Sequence, residues 1–425
     1  MNVTQSWPCL LADLPAVPMT IRTLPSDFQV TEIPAYEPSG EGDHIYITVQ
    51  KTGVSTQEAI QRLARGLGTI PSLFGYAGMK DARAVAVQTL SVEHLDPDRI
   101  SGFEDDAIRI LSVSRHRNKI KVGHLKGNHF VIKLRQLDPA LIPVLRQGLE
   151  RLAARGVPNY FGSQRFGMRG DGWEIGRALV REDYERAACF MAGNPGPFDS
   201  GRILQARELF MQGRYREAAP LWPSGMSYCG ILCRLMDGKP GNFRRGVRSL
   251  DKKILKFFIA AFQAKLFNEM LARRLSKFDQ VQAGDWAVKH ETGGLFKVED
   301  EAAENIRAAR FEISAAVPLF GRKARLSEKE SSRLEEEVLA EHGVQRSDFQ
   351  RDGILAADGD QRPLRFKLEA VSCHAGSDAE GDYFELQARL PAGCYMTALL
   401  REIAKEKLQE IQSSARSAVP PLTQG

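Results

Sequence analysis

The feature that most constrains this fold is strand-like sequence at both ends of the chain, parted by a long middle of different texture. IYITV (45–49), FGYA (74–77), AVAVQTLSV (84–92) and stretches near 108–113 and 129–135 carry the β-branched, alternating pattern of strands. From about residue 362 that texture returns in LRFKLEAVS and YFELQARL, followed by LPAGCYMTALLREIAKEKL, a turn leading into a helix. In between, from about residue 167, charged helical segments alternate with breaks such as GNPGPFDSG (193–201) and DGKPGN (237–242). Long helices are expected there near 252–275 and 327–342. A β-rich domain interrupted by an inserted module accounts for this order, and 425 residues are ample for two domains.

Local signals place one acidic residue with some care. Ser55 with Glu58 three positions on reads as a capping box opening a helix that Gly66 and Gly68 end. A second helix begins at Asp138-Pro139 and closes at Gly156. GMKDAR (78–83) then falls between two strands, so Asp81 projects from a connection, between Lys80 and Arg83. A glycosidase would need two carboxylates across one bond, and a two-metal nuclease several acids. The nearest acids in sequence are Glu58 and Glu93. One acid flanked by bases favours its ionised form and suits nucleophilic attack or proton abstraction, although a turn-capping aspartate has the same appearance.

The net charge of +5 does not choose between an ordinary enzyme and a nucleic-acid binder, so its distribution matters more. Residues 114–137 hold seven bases (Arg115, Arg117, Lys119, Lys121, Lys126, Lys133 and Arg135) and no acid, interleaved with His116, His124, His129 and Phe130. A second basic cluster, RRGVRSLDKKILK, spans 244–256. Both are expected to face phosphates. The histidine spacing matches no zinc pattern, and Cys229 and Cys233 form the only close pair among six scattered cysteines, so reduced structural thiols and no metal are expected. The start lacks a basic n-region, and ILKFFIAAFQAKLFNEML (254–271) is interrupted by Lys256 and Lys265. A cytoplasmic chain without a membrane span, acting as a monomer, is the expectation.

Taken together, SDFQVTE (26–32), GYAGMKDARAV (75–85), NKIKVGHLKGNHF (118–130), NYFGSQRFG (159–167) and LPAGCYMTALLRE (390–402) resemble the TruD family of tRNA pseudouridine synthases. AFQAKLFNEML (261–271), EISAAVPLFGRK (312–323) and LEEEVL (334–339) follow the order of that family's insert, so the resemblance runs from about residue 20 to 405. It implies an α+β fold. A pseudouridine-synthase catalytic domain, with a mixed, mainly antiparallel sheet flanked by helices, would occupy 1–166 and 358–425, interrupted by an inserted α+β TRUD domain at 167–357, or about 157–368 with the wider bounds of the family's TRUD region.

The resemblance further implies isomerisation of uridine to pseudouridine in tRNA, at uridine 13, with the RNA held between the two domains and no metal or organic cofactor. By position, Asp81 is the implied catalytic aspartate; Phe28, Asn128 and Tyr395 are implied substrate contacts, and Phe130 stands where related synthases usually carry Tyr. Lys80 and Arg22 are the implied candidate partners of the carboxylate. Flipping a base out of its stack costs a few kcal/mol, and stacking on an aromatic ring returns roughly 1–3 kcal/mol, so Phe28, Phe130 and Tyr395 are expected to act as a platform. The sequence departs from the family pattern at Ala82, Ala86, Cys394 and Met396, and AFQAKLFN stands for the usual AYQSYLFN. An RNA-binding or RNA-folding module with altered or lost catalysis is the alternative function.

Overall fold

β1 (Met19–Ile21), β2 (Phe28–Pro34) and β3 (His44–Thr52) lead into α1 (Thr56–Gly66), whose cap Ser55 accepts from the Glu58 N–H at 3.1 Å. β4 (Phe74–Tyr76), β5 (Val85–Glu93), β6 (Ile108–His116) and β7 (Leu125–Arg135) follow, then α2 (Ile142–Arg155), which Gly156 closes at φ 94°. The computed structural model describes residues 7–411; the outer ends of the two expected catalytic segments, 1–6 and 412–425, lie outside them. These residues fall into two compact units: one of 11–157 with 366–411, the other of 7–10 with 158–365.

The first unit is built on a ten-stranded sheet. Its main path runs from strand Glu369–Asp378 through Gly381–Pro391, β7, β2, β5 and β3 to β6. β2 runs parallel to β5, and β1 parallel to Leu408–Glu410, while every other pairing is antiparallel. The sheet is thus mixed and mainly antiparallel. The late strands enter beside β7, with Phe130 opposite Ala388 and Asn128 opposite Leu390, which is why strand texture returns after the insert.

Register assigns the faces, because directly paired residues share a side of the pleat. Phe28, Val30 and Glu32 of β2 lie on the face that carries Ile132, Phe130 and Asn128 of β7. Ala86 of β5 pairs with Val30 and with Lys51, which extends that face across β3. Along Gly381–Pro391, Phe384, Leu386, Ala388 and Leu390 are buried on this side while the residues between them are more open. Helix α1 packs Ala59, Ile60 and Leu63 with Ile47, Val49 and Leu90.

The second unit centres on the helix Lys252–Arg274, buried on most of its circumference, with Phe262, Phe267 and Leu271 fully enclosed. Its neighbour Gly172–Val180 approaches so closely that a Cβ on Gly176 would lie 2.0 Å from the Phe258 carbonyl oxygen, so only glycine fits. An antiparallel four-stranded sheet, ordered Leu295–Lys297, Trp286–Lys289, Ile313–Leu319 and Asp360–Pro363, completes the unit. The expected insert, 167–357, lies inside it. The six cysteines are reduced, and Cys229 and Cys233 are buried on the helix Ser227–Gly238. Among the described residues no helix is long and apolar enough to cross a membrane.

Candidate active site

The connection from β4 to β5 carries Asp81 and is held from beneath by the sheet. Gly75, in β4, passes close under the backbone before β7: a Cβ there would lie 2.3 Å from the Ile120 carbonyl oxygen. Gly78 is different, since a Cβ on it would meet Leu125 at 3.6 Å and Lys80 Nζ at 3.8 Å, both ordinary contacts. Thr56 Oγ1 accepts from the Lys80 backbone N–H at 2.8 Å and donates to Gln88 Oε1 at 2.9 Å. Lys51, fully buried, donates from Nζ to the carbonyls of Val54 (2.6 Å) and Asp81 (2.7 Å). Burial pulls its ammonium down to about 8, against the attraction of Asp81.

Asp81 itself stands half-exposed, its side chain 47 % accessible, with Oδ2 accepting from Arg22 Nη2 at 2.7 Å. Arg22 follows β1 in the left-handed region (φ 62°), a conformation costing a non-glycine residue roughly 1–2 kcal/mol. That turn aims the guanidinium inward, 3.9 Å from the Phe28 ring centroid, and Nη1 reaches the Arg83 carbonyl at 3.5 Å. Arg22 Nε has no hydrogen-bond partner among the described residues and lies 4.0 Å from Glu410 Oε2. The guanidinium therefore links Asp81 to the ends of β1 and Leu408–Glu410.

Lys80 does not pair with Asp81, which corrects one of the two expected partnerships. Its Nζ lies 2.9 Å from Glu32 Oε1 and donates to Asn128 Oδ1 at 2.7 Å, on the face of β2 and β7. Lys80 thus turns down to the sheet and is buried, while Asp81 beside it stays open to solvent. Burial pushes the Glu32 carboxyl up from its ordinary range, against the pull of Lys80. A second carboxylate thus lies beneath the loop, and the reading of Asp81 as acid without an acidic neighbour holds only along the sequence.

The aromatic platform is also changed. Phe28 and Phe130 are buried, 3 % and 7 % exposed, and meet edge to face at 5.9 Å. Their rings pack against each other, with Phe28 under Arg22, so they build the floor of the site. Tyr395, 41 % exposed just before the helix Met396–Ala404, is the one of the three that offers open ring surface. Ala86, fully buried between Val30 and Lys51, occupies a position where a larger side chain would press on both. Glu32, Lys51, Thr56, Gln88 and Glu410 were not singled out from sequence. Lys51 had a signal: in IYITVQK it follows Ile45, Ile47 and Val49 at core parity.

The basic window 114–137 is less open than its composition suggests. Arg135 is buried and forks Asp27, with Asp378 shared by Arg135 and Lys133. Lys119 lies 3.4 Å from Glu93, and Arg117 pairs with Glu41. Acids missing from the window are supplied by other strands and loops. Arg115, Lys121 and Lys126 are exposed, as are Arg244, Arg245, Arg248, Lys252 and Lys253 of the second cluster. Among the described residues no three His, Cys, Asp or Glu side chains gather as a metal site.

A half-exposed carboxylate fixed through one oxygen, above a buried polar layer, is equipped for attack on a bound substrate or for proton transfer. A family model described as tRNA pseudouridine synthase D (TruD) matches residues 6–403. The tRNA pseudouridine synthase D of Geobacter metallireducens is 40% identical over 396 residues, 93% of this chain and 97% of its own length. That of Thermus thermophilus is 34% identical over 413 residues, 96% of this chain and 95% of its own. A crystal structure assigned to tRNA pseudouridine synthase D from Methanosarcina mazei matches with a TM-score of 0.80 at 25% identity, covering 95% of this chain and 96% of that one.

Proposed function

Because the chain belongs to the tRNA pseudouridine synthase D (TruD) family, and is thus an isomerase of uridine in tRNA, we propose that Asp81 is its catalytic carboxylate and uridine 13 its target. The observation that carries this reading is the carboxylate itself: Oδ2 rests on Arg22 at 2.7 Å, while Oδ1 accepts no hydrogen bond among the described residues and the side chain is open to solvent. In the reaction the C1′–N1 bond breaks and a C1′–C5 bond forms; C5 loses a proton and N1 gains one. Asp81 either attacks C1′ or the base, or removes the C2′ proton to give a glycal. In each route the Arg22 ion pair fixes one oxygen and leaves the other for the substrate.

Tyr395 supplies a ring for the extruded base, at roughly 1–3 kcal/mol of stacking. Asn128 has its oxygen engaged by Lys80, which leaves its amide hydrogens as donors toward a uracil carbonyl or a ribose oxygen. Phe28 acts from below by holding Arg22 in position, and Phe130 braces the Phe28 ring. The test is release of tritium from tRNA labelled at uracil C5. The wild-type protein releases it, while Asp81→Asn binds the same tRNA and releases none; equal release by both removes Asp81 from the chemistry. Release by neither protein would favour the RNA-binding alternative. Mapping the product should find pseudouridine at position 13, and modification only elsewhere would overturn that part of the reading.

A further inference from the structure

At the opposite end of β3 from Asp81, a cavity of about 560 Å³ is walled by His44, His116 and His124 with Lys119 and Lys121. His44 and Lys51 are seven positions apart on that strand, which at ~3.3 Å per residue separates the cavity from the Asp81 anchor by about 23 Å. The cavity is therefore distinct from the catalytic site, and its size is in the range that takes a small-molecule or nucleotide-sized group.

Its hydrogen-bonding character follows from the ring tautomers. His116 Nδ1 accepts from the Ser39 backbone N–H at 3.0 Å; an amide nitrogen only donates, so the ring proton sits on Nε2. His124 Nδ1 faces the Lys121 backbone N–H at 3.5 Å and the Tyr36 hydroxyl at 2.7 Å, which assigns its proton to Nε2 as well. Tyr36 stacks on His116 with centroids 5.0 Å apart and holds both rings in place. Of the two carboxylates in the lining, Glu93 is engaged by Lys119 at 3.4 Å and approached by His44 at 3.9 Å; Glu37 is the other. Lys121 is exposed, and His44 Nδ1 is a buried polar atom with no hydrogen-bond partner among the described residues. Two imidazole N–H groups and the exposed Lys121 ammonium, beside a Lys119 already held by Glu93 and the Ser72 carbonyl, make a donor set for an anion.

We propose that this cavity is a second RNA contact, holding a backbone phosphodiester of the tRNA at a point remote from the reacting uridine. It rests on the reading of the chain as a tRNA isomerase. A catalytic end and a distant phosphate clasp on one sheet would register a folded RNA by the separation of the two contacts, and a short RNA would reach only the first.

The experiment compares full-length tRNA with a short stem-loop carrying the target uridine, both labelled at uracil C5. Lys121→Glu should raise KM for the tRNA about tenfold with kcat within about twofold, flatten the salt dependence by about one ion, and leave the stem-loop kinetics unchanged. His124→Phe keeps a ring against Tyr36 but removes the Nε2 donor, and should raise the tRNA KM about threefold on the same grounds. Unchanged KM in both variants overturns the proposal, as does an equal rise in Arg65→Glu, an exposed charge reversal on α1. Ring-proton spectra give a second reading: inorganic phosphate that shifts the His124 signals where tRNA does not would make this a free-anion site and overturn it too. If Asp81→Asn still releases tritium, the assigned chemistry fails; if it does not and Lys121→Glu behaves as wild type, only the clasp fails.

Discussion

Lys51 is a charge with no exposed surface, and its partners are two carbonyl oxygens, of Val54 and Asp81, at 2.6 and 2.7 Å. Burial lowers its pKa to about 8, and repulsion from Lys80 adds to the drop, against the attraction of Asp81, Glu32 and Glu58. The sign of the linkage follows. Between about 8 and the unfolded value near 10.5 the unfolded chain binds more protons than the native one, so native stability rises with pH across that window. The protonated form below it carries a cost of roughly 3 kcal/mol. Lys51→Met removes that cost but strands two carbonyls at about 1–3 kcal/mol each. Urea unfolding at pH 7 should therefore change little, and the rise in stability from pH 8 to pH 10 should vanish in the variant. Tritium release should fall about tenfold or more, because the Asp81 peptide loses its anchor. A variant with wild-type activity would show that the loop is positioned by Arg22 and Thr56 alone.

At the scale of elements, β7 does two jobs with its two faces. Asn128 and Phe130 belong to the site face, while Lys133 and Arg135 lie on the other, where Arg135 forks the fully buried Asp27 at 2.7 and 2.9 Å. Arg135 first, and Lys133 second, hold the Asp378 carboxyl far below the ordinary carboxylate range. Its contribution to stability is present above the unfolded value of 3.8 and is lost as pH falls below it. Arg135→Met leaves Asp27 buried without its partner and should cost about 3–5 kcal/mol in urea unfolding at pH 7. Asp378→Asn should cost much less and flatten the acid limb; equal costs would mean that Asp27 is not the main partner. The strands and capped helices were legible because period-two alternation and the Ser55 and Asp138 caps act within a few residues. Partners were not. Lys80 beside Asp81 suggested a pair, yet the connection between β4 and β5 sends Lys80 to Glu32, 48 positions away in sequence, and gives Asp81 to Arg22. The acid-free window was filled by Asp27 and Asp378, which only the sheet order brings to β7.

At the scale of the whole molecule, residues 7–10 belong to the unit built from 158–365, while 11–157 build the other, so the chain enters the second unit twice. Trp7 is the reason the short entry matters. It stacks on Tyr160 with centroids 5.9 Å apart, and its ring covers Lys265 Nζ at 4.7 Å, with Trp173 on Lys265 at 5.0 Å. Lys265 is 2 % exposed and pairs with Glu269 at 2.7 Å, which His342 contacts at 2.8 Å. AFQAKLFN carries this lysine where the family usually has an aromatic residue, and two indole faces answer the change by surrounding its charge. Trp7→Ala opens a cavity and uncovers a buried ammonium, and should cost about 3–5 kcal/mol in urea unfolding. Lys265→Tyr should be tolerated, and in that background Trp7→Ala should cost less, since only apolar contact is then lost; the double-mutant cycle isolates the ammonium–indole part. Equal costs of Trp7→Ala in both backgrounds would reduce Trp7 to a space-filler. The same reasoning makes a fragment of 158–365 alone less stable than one supplied with a peptide that carries Trp7, because only the second covers Tyr160 and Lys265.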